Sequence, residues 1–325
     1  MNRIRWGILG NAKIARDFVI PAIRLSRNGE VVALASRDRA KAAEICQRFS
    51  IPTLHEDYAN LLASSAVDAV YIPLPNTLHV EWTRRAIAAG KHVLCEKPLA
   101  MHASEIDSLI EARDRSGLTV GEAFMVAHHP QWEHVRRTIA EGRIGSLRIV
   151  EGAFAYRNVD AGNIRNRRDL GGGSLRDIGV YPVVTTRIAT GKEAIGAQAH
   201  IEWDAAFGTD KLAVCAVAFE GFQLSFYCAT QAARRQQMTF HGEAGWLRLE
   251  APFNAGVYDQ ARVTLRLNDA SGTEDTIFPQ ANQYQSMVEN FADAVQGKAP
   301  LVFTLESSRA NQRVIDMLFE AGDRR

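Results

Sequence analysis

The 325-residue sequence predicts two domains of different class: an α/β domain with a doubly wound parallel sheet over residues 1–123, then an α+β domain with a large, mainly antiparallel open sheet over 124–325. Three observations carry this. The chain is too long for one ordinary core and comfortable for two. In its first part, short and almost wholly apolar runs alternate with longer amphipathic stretches, as strands buried on both faces and joined by crossover helices require. After Met125 the texture changes, and from Ser146 onward strands follow one another, several alternating apolar and polar residues as a sheet with one wetter face does.

In order, the first domain reads as strand IRWGILG, helix IARDFVIPAIRLSRN, strand VVALASR, helix RAKAAEICQRF, strand VDAVYIPL, helix HVEWTRRAIAAG, strand HVLCEKP, helix ASEIDSLIEARDRSG and strand LTVGEAFM. The second reads as strands SLRIVEGAFAYR, GAQAHIEW, AVCAVAFE, FQLSFYCAT, RQQMTFHG, GWLRLE and ARVTLRLN. One helix, GGGSLRDIGVYPVVTTRIATG, interrupts them, and two more, near 283–296 and 304–321, close the chain. No repeat or low-complexity linker is visible.

Composition excludes several function classes. Lys and Arg number 38 against 37 Asp and Glu, a formal net charge of +1, which offers no general field for nucleic acid or an anionic membrane. The opening MNRIRWGILG runs straight into a strand without a signal-peptide pattern, and no apolar run reaches the roughly 18 residues of a membrane span. The expectation is a soluble, cytoplasmic protein. Cys46, Cys95, Cys215 and Cys228 lack CxxC spacing and sit in apolar surroundings, which predicts free buried thiols and fits a reducing compartment. His128, His129 and His134 cluster in HHPQWEH, but Pro130 interrupts them and no three-ligand spacing results, so no metal is expected.

Strand one ends in Gly10-Asn11-Ala12-Lys13-Ile14-Ala15 and runs directly into a helix, where a dinucleotide fold places a pyrophosphate. Gly10 can make the tight turn and Ala15 can let helix and strand pack closely, while Ala12 adds a methyl where the backbone usually approaches phosphate. A plain strand-to-helix turn is the alternative. At the end of strand two an NAD enzyme generally carries an acid for the ribose hydroxyl, but here Ser36 and Arg37 stand there, with Arg39 and Lys41 following. That favours NADP over NAD, although Asp38 one position later could be the missing acid and the arginines could simply be solvated.

Ligands of open parallel sheets bind at the carboxyl ends of the strands. There the chain places YIPLPNTLH, with Pro75, Asn76 and His79, and then CEKP, with Glu96, Lys97 and Pro98. A buried amine needs a partner, a cleft or a shifted pKa, and two of those three suggest chemistry. In the second domain, Asp177 and Tyr181 lie four apart and so share a helical face behind the run Gly171-Gly172-Gly173, which allows a backbone or a ligand to come close. Ser174-x-x-Asp177 also has the form of a capping box, which would make Asp177 structural.

Taken together, GxxGxAxxA at the start, PNTLH at 75–79, EKP at 96–98 and NIR...LGGGSLRDIGVY at 163–181 resemble the Gfo/Idh/MocA oxidoreductases over essentially the whole chain, in the branch of dimeric dihydrodiol dehydrogenases, NADP-dependent xylose dehydrogenases and glucose-fructose oxidoreductase. The resemblance implies a Rossmann first domain and an enzyme that transfers hydride between a nicotinamide and a hydroxyl or carbonyl of a sugar, polyol or cyclic diol. It implies that Lys97 is the proton-transferring residue in a catalytic set with Asp177 and Tyr181, that these three and Arg165 meet the substrate, and that His79 lies near the nicotinamide ribose. Gly10, Asn11, Ala12, Ile14, Ala15, Ser36, Arg37, Pro75, Asn76, His79, Glu96 and Lys97 are the implied cofactor-binding positions, with Glu96 and Pro98 shaping the turn that aims Lys97 and a cis peptide before Pro98. A homodimer or dimer of dimers, paired through the open sheet, is implied as well. Val126-Ala127 departs from the bulkier pair common among relatives. Two other readings stay open: a dinucleotide-sensing regulator without turnover, which the joint presence of Lys97, Asp177 and Tyr181 argues against, and a redox-assisted glycosidase or lyase with tightly held cofactor.

Overall fold

The computed structural model describes residues 3–268 and 272–322, and the chain divides into two units, Met1–His128 with Asn282–Arg309, and His129–Ala281 with Ala310–Arg325. The expected boundary lies at 123/124. The first unit runs five residues further and also takes in residues 282–309, because helix Gln283–Val295 buries Tyr284, Met287, Val288 and Phe291 there. Phe291 meets Trp6 at 5.1 Å between ring centroids, and Tyr284 stacks on Phe18 at 5.0 Å.

The first unit holds a six-stranded sheet of β1 Ile4–Leu9, β2 Gly29–Ala35, β3 Thr53–His55, β4 Ala69–Ile72, β5 His92–Cys95 and β6 Val120–Glu122. The order is β3-β2-β1-β4-β5-β6 and every pairing is parallel, so the strand order reverses between β1 and β4. Leu9, Val70, Ile72, Val93, Ile106 and Leu109 belong to its core. Sequence reasoning found five of these strands and missed β3, along with the short helix Tyr58–Ala63 behind it. β3 has three residues at the sheet edge with none fully buried, too short to show a period.

The second unit holds an eight-stranded sheet of β7 Leu147–Arg157, β8 Ala194–Trp203, β9 Asp210–Phe219, β10 Phe222–Ala229, β11 Gln231–Gly242, β12 Gly245–Leu249, β13 Arg262–Leu267 and β14 Thr273–Ile277. Its order is β14-β13-β12-β11-β7-β10-β9-β8, antiparallel except for the parallel pair β7 and β10. β14 and helix Pro130–Ala140 were not foreseen, the strand because four of its five residues are polar, the helix because its start reads as a histidine cluster. Helix Val180–Thr190, nearly all of it buried, packs on one face of the sheet at β7 and β10. Phe154, Tyr181 and Phe253 form an aromatic cluster there, with centroids 4.9 to 5.5 Å apart. On the other face of β9 and β10, Val214 is 49% exposed and Tyr227 half-buried.

Candidate functional site

In the first unit, the carboxyl ends of β1 and β4 carry the switch in strand order, where ligands of such sheets bind. Gly10 leaves β1 at φ +112°, a conformation side chains rarely adopt, and its N–H donates to the Ala35 carbonyl at 2.7 Å. A methyl group there would reach 3.3 Å from Leu74 on the β4 side, narrowing the cradle a pyrophosphate needs. Asn11, Ala12 and Ile14 are half-buried and Ala15 is buried, and the helix opens with a wide π turn over Ala15–Val19.

At the end of β2, the acid that could have met a ribose hydroxyl is already engaged. Asp38 accepts the Lys41 N–H at 3.1 Å, capping helix Arg39–Phe49, and pairs with the Lys41 amine at 3.2 Å. Ser36 is buried, its Oγ accepting the Asp38 N–H, which leaves Arg37 as the exposed member of the pair. Burial raises the pKa of Tyr58, and the charge of Arg37 opposes the rise. The Tyr58 hydroxyl also lies 3.8 Å from where a Gly10 side chain would start, so Gly10, Arg37 and Tyr58 share one mouth. A cradle without a side chain beside an exposed guanidinium fits a phosphorylated dinucleotide. Tyr58 was not foreseen, since it sits on a helix that sequence reasoning missed.

The Glu-Lys-Pro turn is braced at several points. Tyr71, fully buried, donates its hydroxyl to Glu96 Oε1 at 2.6 Å, and Glu96 Oε2 accepts the Lys97 N–H at 3.2 Å. The Lys97-Pro98 peptide is cis. His79 is fully buried with both ring nitrogens facing carbonyl oxygens, Nδ1 at 2.7 Å from Pro98 and Nε2 at 2.7 Å from Leu74. Burial holds its pKa below the ordinary imidazole value, the two carbonyls opposing and the charge of Lys97 assisting. With both nitrogens facing backbone carbonyls, the ring ties the loop after β4 to the turn after β5, at the end of the sheet where the resemblance puts the nicotinamide ribose. Pro75 and Asn76, both half-buried, open the short 3-10 turn that leads into His79.

In the second unit, Asp177, Arg165 and Tyr156 come together. Asp177 Oδ2 accepts the Tyr156 hydroxyl at 2.6 Å and the Arg165 Nε–H at 2.9 Å. Burial, then Asp177, keeps the Tyr156 phenol well above its usual range, so it donates as a neutral hydroxyl. The side chain of Arg165 is 42% exposed, which limits the ion pair to the small stability of a screened surface pair, about 0.2–1 kcal/mol. Its effect is orientation. Among the described residues the two Nη groups of Arg165 have no hydrogen-bond partner, so the guanidinium offers a donor fork to a ligand. Tyr181, four residues along the helical face, is buried against Phe154 and Phe253. Tyr156 was missed because nothing in the spacing relates the end of a strand to an acid 21 residues later.

The capping-box alternative for Asp177 is not what the chain uses. Ser174 makes no side-chain cap bond; its hydroxyl donates to Asp210 Oδ2 at 2.8 Å, and the same oxygen accepts the Leu175 N–H at 2.6 Å. Asp210, from the start of β9, therefore caps this helix from outside. The glycines serve the same packing: a methyl on Gly172 would overlap the Arg165 carbonyl, and one on Gly173 would overlap the Asp210 carboxylate. The close approach expected of this run is made by the protein's own backbone and cap. Among the described residues, no three His, Cys, Asp or Glu side chains are placed to share a metal ion, and no helix is long and apolar enough to cross a membrane.

Comparison with known proteins bears on the fold and the family. Residues 4–124 match the model of an oxidoreductase family with an NAD-binding Rossmann fold, and residues 132–248 match the GFO/IDH/MocA C-terminal domain. The chain is 38% identical to an uncharacterized oxidoreductase of Rhizobium meliloti over 329 aligned positions, covering 100% of this chain and 98% of the relative. It is 36% identical to a D-xylose 1-dehydrogenase (NADP(+)) of Haloferax volcanii, covering 98% and 97%. The crystal structure of KijD10, a 3-ketoreductase from Actinomadura kijaniata in complex with NADP and TDP-benzene, superposes with a TM-score of 0.91 at 31% identity, covering 98% of each chain.

Asp210 gives this region a pH signature. Burial pushes its carboxyl up to about 6 from 3.8, against the opposing Leu175 N–H and Ser174 hydroxyl. A carboxyl raised on folding contributes stability that is fully present below its unfolded pKa and is lost as pH rises through the folded one. The expected loss between pH 4 and 8 is about 3 kcal/mol in denaturant unfolding. D210N, which keeps an acceptor for Leu175, should lack that component, and a variant as pH-sensitive as the parent would disprove it.

Proposed function

The chain belongs to the GFO/IDH/MocA oxidoreductase family, and on that premise we propose that it is an NADP-dependent enzyme moving hydride between the nicotinamide and a hydroxyl or carbonyl carbon of a sugar, polyol or cyclic diol. The observation that carries the reading is the braced turn after β5, which spends Tyr71, Glu96 and His79 on holding the backbone around Lys97 at the ligand-binding end of a parallel sheet. The relatives above support the substrate class, one being a D-xylose 1-dehydrogenase and one a 3-ketoreductase whose structure holds NADP and TDP-benzene.

NADP, when bound, supplies the hydride acceptor, and in its reduced form the donor. Gly10 and the turn to Ala15 would hold the pyrophosphate, and Arg37 would meet the 2′-phosphate. In the oxidative direction Lys97 Nζ takes the substrate hydroxyl proton as the carbinol hydrogen leaves as hydride; in reduction it returns that proton to the new alkoxide oxygen. Asp177 fixes Arg165, whose Nη groups meet substrate oxygens, and Tyr181 completes the substrate-binding set. The four unpaired thiols support a cytoplasmic location.

With Asp38 committed to its cap, NADP should bind about ten-fold or more tightly than NAD, as a charge-assisted phosphate contact gives. R37A should erase the difference in fluorescence titrations, and equal affinities in the parent would refute it.

Turnover should appear when sugars, polyols and diols are screened at the absorbance of reduced nicotinamide. K97A should then lower kcat by about 10²-fold or more with NADP affinity nearly unchanged. D177N should lose turnover while its Tm barely moves, because the helix cap comes from Asp210. A fully active D177N would return the chemistry to Lys97 and Tyr181 alone.

We also propose pairing through the outer face of β9 and β10, giving a homodimer or dimer of dimers. Light scattering at micromolar concentration should report at least a dimer, and V214D should shift it toward monomer. A monomeric mass for the parent would end the proposal.

A further inference from the structure

Glu122 is a buried carboxyl that the function above leaves unused. It ends β6 level with Cys95 at the end of β5, and only 5% of its surface is exposed. Its Oε1 accepts the Leu99 N–H at 2.8 Å, and the nearby Ser308 hydroxyl, which donates to the Thr304 carbonyl, also favours the charged carboxylate. Leu99 lies two residues beyond Lys97. Glu96 holds the turn at the Lys97 N–H and His79 faces the Pro98 carbonyl, so Glu122 completes the series at its exit.

A backbone N–H needs only a neutral acceptor, and a glutamine would provide one without the cost of desolvating a charge. The chain instead buries an acid within reach of two other charges of the same turn, Glu96, which disfavours its ionisation, and Lys97, which favours it. The Cys95 thiol stands alongside in β5 and feels the charge of Glu122 in turn.

We propose that Glu122 is a positioning residue for Lys97: its grip on Leu99 sets where the amine sits, and its charge sets how firmly. The inference rests on the reading of Lys97 as the proton-transferring residue. Burial pushes the Glu122 carboxyl up to about 7, the Ser308 hydroxyl and Leu99 N–H opposing. Above that pH the bond to Leu99 is charge-assisted and an anion faces Lys97; below it, a proton weakens both. Turnover should therefore rise with pH through the neutral range by way of the turn.

The test compares E122Q, which keeps an acceptor and removes the charge, with the parent and with E122D. Two readouts separate positioning from bulk structure: the kcat–pH profile, and the reductive methylation of Lys97 relative to exposed Lys192, followed by peptide mass spectrometry at one pH. E122Q should keep its Tm and its NADP affinity, lose about ten-fold in kcat and lose the rise near pH 7. Its Lys97 labelling ratio should change about three-fold or more, a shift in site geometry that needs no turnover to observe. E122D should restore the inflection with intermediate kcat. Parental labelling and a parental profile in E122Q would overturn the proposal. If E122Q does not fold, the decision falls to E122D and to the parent, where absence of the neutral inflection would overturn it equally. Because labelling is read without substrate, a fully active K97A would defeat the assignment of Lys97 while leaving the link between Glu122 and the turn measurable.

Discussion

Where a parallel sheet ends, its strands leave the hydrogen-bonded ladder and their polar groups must be met by something else. In the first unit that need is concentrated on one imidazole, His79, placed between the carbonyls of Leu74 and Pro98. The loop from β4 and the turn from β5 are thereby set against a common rigid ring, and the position of Lys97 follows. Glu96 can then take the Tyr71 hydroxyl on one oxygen and the Lys97 N–H on the other. Without the ring, the last residues of both strands would be free to move where the sheet binds ligands.

The second unit reaches the same end differently. Its helix is capped from a neighbouring strand by Asp210, which relieves Ser174 and Asp177 of that duty. Asp177 is then free to meet Tyr156 and Arg165, and the glycines before it keep the chain close enough for both arrangements. The two buried acids differ in consequence. Asp210 holds a backbone end and an hydroxyl with its carboxyl pushed up by burial, whereas Asp177 is neutralised by an arginine whose outer nitrogens face outward from the pair.

The architecture was legible because it rests on periodicity over long segments. Apolar runs bounded by helices specified β1, β2, β4, β5 and β6, and alternation specified seven of the eight strands of the second sheet. β3 and β14 are short and polar enough to carry no period, and residues 282–309 return to the first unit through contacts made across almost the whole sequence. Within the site, residues whose identity announces chemistry, such as Lys97, Arg37 and Asp177, could be named. Their partners could not: Tyr58, Tyr156 and Glu122 read as ordinary positions, and only the fold brings them to the groups they serve. His79 is a case of the same kind, since a histidine braced between two carbonyls and one that meets a ligand look alike in sequence.

The return of residues 282–309 also bears on biosynthesis. Phe291 leaves the ribosome long after Trp6, yet the two rings pack against each other, tilted, in one core. A nascent chain at residue 128 therefore has its parallel sheet in hand but not the helix that covers Trp6 and Phe18, and that apolar surface waits through the translation of some 150 residues of the second unit. At ordinary elongation rates of about 5 to 20 residues per second this is an interval of roughly ten to thirty seconds. During it the half-built domain is a natural client for a chaperone, and a premature stop anywhere before the final helices leaves both units unfinished.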